Sequence, residues 1–190
     1  MSAPQFFYDL GSPFSYLSAA RIDDVFEREV EWVPILLGAV FVATGRSSWS
    51  LTDERAGGIE EVERRAAERG MPPFDWPSDW PNNGLHAMRA AVFAHSEDLG
   101  RQFALEAFAE QFNNGNALSH DPSIASAATR AGLSPARTLA ATADPEIKQI
   151  LRENTDTALE MGVVGVPSIV VGMTVFWGDD RLEEAASAAH

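Results

Sequence analysis

Strand-forming residues occur only near the two ends of this 190-residue chain, and this distribution limits its possible folds more than any other feature. Residues 5–8 and 30–37 are rich in aromatic and β-branched side chains, which favour strands. Between them, apolar residues recur at helical spacing from Pro13 onwards and predict a helix of about four turns. Residues 1–37 therefore predict a strand–helix–strand unit, and such a crossover joins parallel strands.

The second group of strands lies near the C-terminus. Residues 168–172 and 174–178 are two short apolar runs with a glycine between them, a pattern typical of an antiparallel hairpin. Residues 179–185 follow as a helix with acidic residues in its first turn, where they complement the helix dipole. This part of the chain therefore predicts a strand–strand–helix unit.

Residues 38–161, between the two groups of strands, show alanine-rich helical patterns and no convincing strand. Ser134 and Asp144 each precede a proline, as is typical of a capped helix start, and we expect about five to seven helices here. A β-α-β and a β-β-α unit around a helical segment form the thioredoxin layout. The sequence therefore predicts an α/β, thioredoxin-like fold with an all-α insertion: a discontinuous domain of residues 1–37 and 162–190, interrupted by residues 38–161.

Charge and composition exclude several classes of function. With 28 acidic and 14 basic residues the formal net charge is −14, which opposes binding to nucleic acid or to an anionic membrane. The chain has no cysteine, so it has no disulfide, thiolate metal site or dithiol redox centre of its own. His86, His95 and His120 are too far apart in sequence to indicate a metal site, and none is expected. No run reaches the roughly 18–20 apolar residues of a membrane span and no leader-like segment precedes the first strand, so we expect a cytoplasmic protein.

The turn from the first strand into the first helix contains the best candidate for a functional residue. Gly11 ends the strand, and Ser12-Pro13 is a typical helix start, with a hydroxyl cap and a proline at the first helical position. Free backbone N–H groups and the positive end of the helix dipole favour an anion or a thiolate at such a position. Two interpretations of Ser12 remain open: it is a functional hydroxyl, or it is only the cap of the helix.

Several segments, in order along nearly the whole chain, resemble one branch of the thioredoxin fold. They are Ser12-Pro13-Phe14-Ser15, residues 34–41 followed by Gly45, Pro81 with Asn83, residues 87–89, Gly165-Val166-Pro167-Ser168 and residues 176–182. This branch includes the DsbA-like proteins, the kappa-class glutathione transferases and 2-hydroxychromene-2-carboxylate isomerase. The segments of this chain resemble those of the isomerase more than those of the transferases. The oxidoreductases of the branch carry Cys-Pro-x-Cys where this chain has serine at both positions.

The resemblance implies a thiol-dependent isomerase, which takes its thiol from bound glutathione or another low-molecular-weight thiol and acts on a conjugated aromatic substrate. It implies that Ser12 contacts the thiol sulfur, and that Val166, beside a cis Pro167, pairs through its backbone with the tripeptide. Asp180 together with Asp179 receives the γ-glutamyl end in this scheme. The remaining site residues predicted on this basis are Arg46 for the thiol, and Phe14, Tyr16, Phe41, Trp76, Trp80 and Asn83 for the substrate.

Other interpretations remain open. Tyr16, Trp76 and Trp80 are also candidates for core or dimer-interface positions, since large aromatic side chains usually pack. The alternatives to an isomerase are a kappa-class-like glutathione transferase and a thiol-binding or scaffold protein without turnover. We also expect a homodimer, both from the resemblance and because the helical insertion is rich in alanine and phenylalanine.

The sequence departs from the family pattern where the glycine carboxylate of glutathione is expected. Relatives usually carry asparagine after the glycine at Gly45, and a lysine and a tyrosine near the start of the next helix. This chain has Arg46, Glu54 and Gly57 instead. The loss of a cation and the presence of Glu54 disfavour glutathione, so either Arg46 or Arg55 replaces the lysine or the thiol is a different one.

Overall fold

In the computed structural model, which describes residues 3–189, four strands form a single mixed sheet in the order β2-β1-β3-β4. The strands are β1 (Gln5–Tyr8), β2 (Glu31–Pro34), β3 (Ser168–Val171) and β4 (Thr174–Trp177). β1 runs parallel to β2 and antiparallel to β3, and β3 runs antiparallel to β4. The parallel crossover and the hairpin are both confirmed. Met1, Ser2 and His190, at the ends of the predicted discontinuous domain, lie outside the described residues.

Ten α-helices accompany the sheet within the described range. They are α1 (Pro13–Ala19), α2 (Ile22–Val25), α3 (Leu37–Thr44), α4 (Arg55–Glu68), α5 (Leu85–Ser96), α6 (Gly100–Phe112), α7 (Asp121–Arg130), α8 (Pro135–Ala141), α9 (Pro145–Glu160) and α10 (Leu182–Ala188). None of these helices of the described chain is both long and apolar enough to cross a membrane. The helices α3 to α9 all lie between β2 and β3, as expected for a helical insertion between the two halves of the sheet. The chain therefore has the predicted thioredoxin-like α/β fold. The exact domain boundaries stay a prediction.

β1 is an interior strand of the sheet, and both faces of the sheet are packed at this strand. Its side chains point alternately into the two faces. Phe6 and Tyr8 belong to the larger core cluster, together with aromatic residues of α6. Phe7 belongs to a second cluster, which also contains Val40 of α3 and Ala158 of α9. Helices from the span of the predicted insertion, among them α3, α6 and α9, therefore share core clusters with the sheet.

Three details of the sequence-based prediction are wrong. The helix predicted from residue 179 onwards begins only with α10, because residues 179–181 form a 3-10 turn instead. The predicted first helix of about four turns is two helices, because the backbone of Arg21 leaves the helical range at φ −124° and ψ −13°. At this break the Arg21 guanidinium pairs with Glu183 of α10. The second strand ends at Pro34 and not at Leu37, because Leu37 begins α3 and its N–H donates to the Asp9 carboxylate.

The phenylalanines of α6, which the dimer prediction uses as candidate contact residues, lie in the core. Phe103, Phe108 and Phe112 are completely buried within one chain. They are therefore not available for contact with a second copy. The homodimer itself stays a prediction.

Gly57 and Gly58 are adjacent in α4 and do not interrupt it, but their surroundings differ. A Cβ added at Gly57 meets no heavy atom within 4 Å, whereas a Cβ added at Gly58 would lie 2.2 Å from the Trp49 ring. We predict that Gly57→Ala raises the free energy of unfolding by about 0.5–1 kcal/mol, because glycine is a poor helix former. Gly58→Ala gains the same propensity but must displace Trp49, so its free energy of unfolding lies about 1–3 kcal/mol below that of Gly57→Ala.

Urea unfolding of the two variants, followed by circular dichroism, measures this difference. The two substitutions add the same methyl group to the same helix, so each is the control for the other. Equal stability would contradict the packing of Trp49 against α4.

Candidate active site

A cleft of about 700 Å³ opens beside the end of β1. Its lining residues come from the segments 9–14, 36–41, 48–51, 80–85, 165–167 and 177–180, together with Arg65 and Met88. Both strand-containing ends of the chain and the helical region between them contribute to it. A cleft of this size is in the range that holds a small-molecule ligand.

Ser12 is both the cap of α1 and part of the cleft wall. Its hydroxyl oxygen accepts a hydrogen bond from the Ser15 backbone N–H at 3.2 Å, and the residue is only 6% exposed. A serine hydroxyl has one proton to donate and two lone pairs. Capping uses one lone pair, and the proton has no acceptor within the described part of the chain. The two interpretations of Ser12 are therefore compatible, because a capping hydroxyl can still donate to an anion in the cleft.

Asp9, which no sequence motif marks, joins two walls of the cleft. One carboxylate oxygen accepts from the Gly11 N–H and the other from the Leu37 N–H, both at 2.8 Å. Its backbone carbonyl accepts from the Ser12 N–H at 3.0 Å. Burial raises the pKa of the Asp9 carboxyl, while the two N–H donors act in the opposite direction. Asp9 thus fixes the turn that carries Ser12 relative to the start of α3.

A further wall is the turn before β3, where the Val166–Pro167 peptide bond is cis, as predicted. The Gly178 N–H donates to the Pro167 carbonyl at 2.9 Å. The backbone N–H and carbonyl of Val166 make no hydrogen bond to any residue of the range 3–189, and Val166 lines the cleft. Unpaired backbone groups of this kind can bind an extended peptide in the way that a neighbouring strand would.

Charged side chains at one end of the cleft form a network around Asp179. Its carboxylate is 1% exposed and lies 2.5 Å from the guanidinium of Arg65 and 2.5 Å from that of Arg69. Arg65 also pairs with Glu61 at 2.7 Å. Asp179 is therefore neutralised by the protein itself, while Asp180 is exposed at the cleft. Sequence patterns miss Arg65 because it lies 114 residues from Asp179 along the chain.

Aromatic side chains form another side of the cleft. Of the residues predicted to contact the substrate, the cleft lining contains Phe14, Phe41, Trp80 and Asn83. The Trp80 Nε1–H donates to the Gly11 carbonyl at 3.2 Å, which fixes the indole ring against the turn that carries Ser12. A contact between these residues and a substrate stays a prediction.

Two other residues predicted to contact the substrate, Tyr16 and Trp76, do not belong to the lining. The Tyr16 hydroxyl donates to Asn113 Oδ1 at 2.6 Å, and its ring stacks on Phe108 in the core. The Trp76 ring packs against Trp80 with a centroid distance of 4.6 Å. Tyr16 is therefore a core residue, and Trp76 supports the cleft wall from behind Trp80.

Arg46 and Arg55, the candidates to replace the expected lysine, also lie outside the lining. The Arg46 guanidinium lies over the Trp177 ring, 4.8 Å from its centroid. Arg55 donates to the Trp80 carbonyl at 2.8 Å. Among the described residues, Arg65 is the only basic one that lines the cleft.

The arrangement suits a ligand that brings its own nucleophile. The chain contains no cysteine, and the Ser12 hydroxyl offers a proton to an anion. The free backbone groups of Val166 lie in the same cleft, together with an exposed carboxylate and a wall of aromatic rings. The residues present therefore fit a bound thiol beside a flat aromatic molecule.

Similar proteins of known structure or assigned name support this fold. The sequence profile of the DSBA-like thioredoxin domain family matches residues 5–189. The chain is 25% identical over 184 residues to a 2-hydroxychromene-2-carboxylate isomerase from Sphingobium xenophagum, covering 94% of this chain and 93% of that protein. It is 24% identical over 196 residues to glutathione S-transferase kappa 1 from Homo sapiens, covering 94% and 87% of the two chains. A solved structure of 2-hydroxychromene-2-carboxylate isomerase is similar with a TM-score of 0.87 at 22% identity, covering 98% of this chain and 94% of that one.

Asp179 and Asp180 are adjacent carboxylates that should respond differently to removal. We predict that Asp179→Ala lowers the free energy of unfolding by about 3 kcal/mol, because it leaves Arg65 and Arg69 facing each other without their shared counter-charge. Asp180→Ala changes the free energy of unfolding by less than about 0.5 kcal/mol, because that side chain is exposed. Denaturant unfolding of both variants measures the two values, and an equal loss in both would contradict the assignment of Asp179 to a buried ion pair.

Proposed function

Because the chain belongs to the DSBA-like thioredoxin domain family, we propose that it is a thiol-dependent isomerase. It binds glutathione or another low-molecular-weight thiol and uses that thiol on a conjugated aromatic substrate. The observation that carries the proposal is the Ser12 hydroxyl, which lines the cleft and keeps a proton to donate in a chain without cysteine. The similarity to an isomerase from S. xenophagum supports the reaction class. Thiols of this kind are kept reduced in the cytoplasm, where the proposal places the protein.

The cleft residues bind the peptide groups and the amine of the thiol ligand. The Val166 N–H and carbonyl pair with the peptide groups of an extended ligand. Asp180 accepts the ammonium group of the ligand. Asp179 acts indirectly, because its ion pair fixes Arg65 at the same end of the cleft.

Ser12 makes the bound thiol reactive. A hydrogen bond from the Ser12 hydroxyl stabilises the thiolate more than the thiol, so it lowers the pKa of the bound thiol. A bound thiolate can add reversibly to a conjugated carbon of the substrate. The addition converts a double bond into a single bond, which can rotate. Elimination of the thiolate then restores the double bond with the other geometry. No oxidant or reductant is consumed in such a cycle.

The aromatic wall holds the substrate next to the sulfur. Phe14, Phe41 and Trp80 offer flat apolar surfaces to an aromatic ring and exclude water from it. Trp80 is held against the Ser12 turn through its bond to Gly11, so the distance between this surface and the hydroxyl is constrained. Substrate and thiol therefore share one cleft.

A glutathione transferase of the kappa type is the second candidate, and the similarity to glutathione S-transferase kappa 1 from Homo sapiens favours it. Both reactions use the same thiolate. A transferase leaves the thiol in the product, whereas an isomerase releases it unchanged. Mass spectrometry of the product distinguishes the two.

Ser12→Ala tests whether the hydroxyl acts beyond capping. We predict that it lowers the free energy of unfolding by about 0.5–2 kcal/mol, as expected for a lost cap. Thiol-dependent turnover of 2-hydroxychromene-2-carboxylate falls about 100-fold, because a donor to a developing anion is lost. Calorimetric titration should show that thiol affinity falls far less than turnover, since one hydrogen bond supplies few of the contacts to the ligand.

The matched control is Ser134→Ala. Ser134 caps α8 in the same way, by accepting the Arg137 N–H, and it is not part of the cleft lining. It should cost similar stability and leave turnover unchanged. Equal losses of turnover in the two variants would mean that Ser12 is only a cap.

Ser12→Cys tests the electrostatic environment of the same position. It rebuilds Cys-Pro-Phe-Ser and should yield a thiol with a pKa clearly below the ordinary value of about 8.5. The pH dependence of the alkylation rate gives this pKa. A value at or above about 8.5 would contradict thiolate stabilisation at this turn.

A further inference from the structure

The cleft lining lacks a free positive charge. Its acidic residues are Asp9, Asp179 and Asp180, and Arg65 is the only basic residue that the described chain contributes. Arg65 is paired with Glu61 at 2.7 Å and with Asp179 at 2.5 Å, so its charge is already compensated. Asp180 has no ion-pair partner among residues 3–189. The charged side chains of the lining therefore sum to a net negative charge.

The neighbouring arginines Arg46 and Arg55 do not belong to the lining. Arg46 lies over the Trp177 ring, and Arg55 is hydrogen-bonded to the Trp80 carbonyl. Both guanidinium groups are held against rings or carbonyls of residues that line the cleft, and neither forms part of the lining itself. Glu54, in the same stretch of chain, is exposed and adds a negative charge.

Glutathione carries the wrong charge for this cleft. It has two carboxylates and one ammonium group, and formation of the thiolate adds a further negative charge. Asp180 can pair with the ammonium group, but no free cation of the lining faces either carboxylate. Like charges repel more strongly in a partly enclosed cleft than in water, because the effective dielectric constant is lower there. The net charge of −14 on the whole chain adds to this repulsion.

The lining also contains uncharged polar groups. Ser48, Ser50, Asn82 and Asn83 all line the cleft. The Asn83 carbonyl oxygen accepts the Leu85 N–H at 3.1 Å, which leaves the two amide protons of Asn83 without a partner in the described chain. Amide and hydroxyl groups of this kind suit a ligand with hydroxyls or amides, which need a hydrogen bond and no counter-charge.

We infer that the thiol used by this protein is neutral or cationic. It carries an amine for Asp180, and hydroxyl or amide groups where glutathione has its glycine carboxylate. The inference rests on the proposed thiol-dependent function and names the chemical class of the thiol. Glutathione itself is a weak ligand of this cleft.

The test compares glutathione with glutathione amide, in which a carboxamide of nearly the same shape replaces the glycine carboxylate. Isothermal titration calorimetry of the unmodified protein gives both dissociation constants. We expect the amide to bind at least about tenfold more tightly, equivalent to about 1.4 kcal/mol. Raising the ionic strength from about 0.01 M to about 1 M should strengthen glutathione binding and reduce the difference, because salt screens repulsion.

Leu51 allows a matched test of charge within the protein. It lines the cleft and is 73% exposed, so a longer polar side chain fits there without repacking the core. Leu51→Lys adds a cation to the lining and should remove most of the preference for the amide. Leu51→Gln has a similar size without the charge and should keep the preference.

The remaining outcomes of these titrations contradict either the inferred charge of the thiol or the proposed function. Glutathione binding as tightly as the amide, or more tightly, overturns the inference and leaves the proposed function standing. A preference for the amide that survives in Leu51→Lys shows a steric origin and also overturns the inference. If glutathione, glutathione amide and the cationic thiol cysteamine all fail to bind, the proposed function itself is wrong, and the inference falls with it.

Discussion

The carboxylate of Asp9 connects the two parts of the chain on which the cleft depends. β1 brings Asp9 to the edge of the core, and its two oxygens bind the N–H groups of Gly11 and Leu37. A buried carboxylate is costly unless its oxygens are hydrogen-bonded, so this contact requires both segments to be in place at once. On one side it fixes the turn of Ser12, and on the other it fixes the helix that carries Phe41. Trp80 then closes on the same turn through the Gly11 carbonyl.

Ser12 combines a structural and a chemical property that the sequence alone presents as alternatives. Its oxygen is a cap because it accepts the Ser15 N–H, and its proton stays available because capping needs only a lone pair. A cysteine at the same place would supply the nucleophile itself. With serine there, the fold keeps a position suited to sulfur chemistry while the sulfur has to come from a ligand.

Local sequence patterns predicted the parts of the structure whose causes are local. The hairpin, the strand-to-helix turn at Ser12 and the caps at Ser134 and Asp144 each depend on a few adjacent residues, and all are present. The contact of Asp9 with Leu37 spans 28 residues and that of Arg65 with Asp179 spans 114, so neither leaves a local signal. Residue type alone does not separate a core aromatic from a cleft aromatic. Only the packed structure assigns Tyr16 to the core, and Trp80 to the core as well as the cleft wall.

Two walls of the cleft come from segments that lie far apart along the chain, and this has a consequence for its synthesis. The turn that carries Ser12 leaves the ribosome early, whereas Val166 and Asp180 follow only after the whole helical region. During most of translation the chain therefore has half of a binding site. A ligand that touches both walls binds only after residues 166–180 have joined the fold, and by mass action it then stabilises the folded protein.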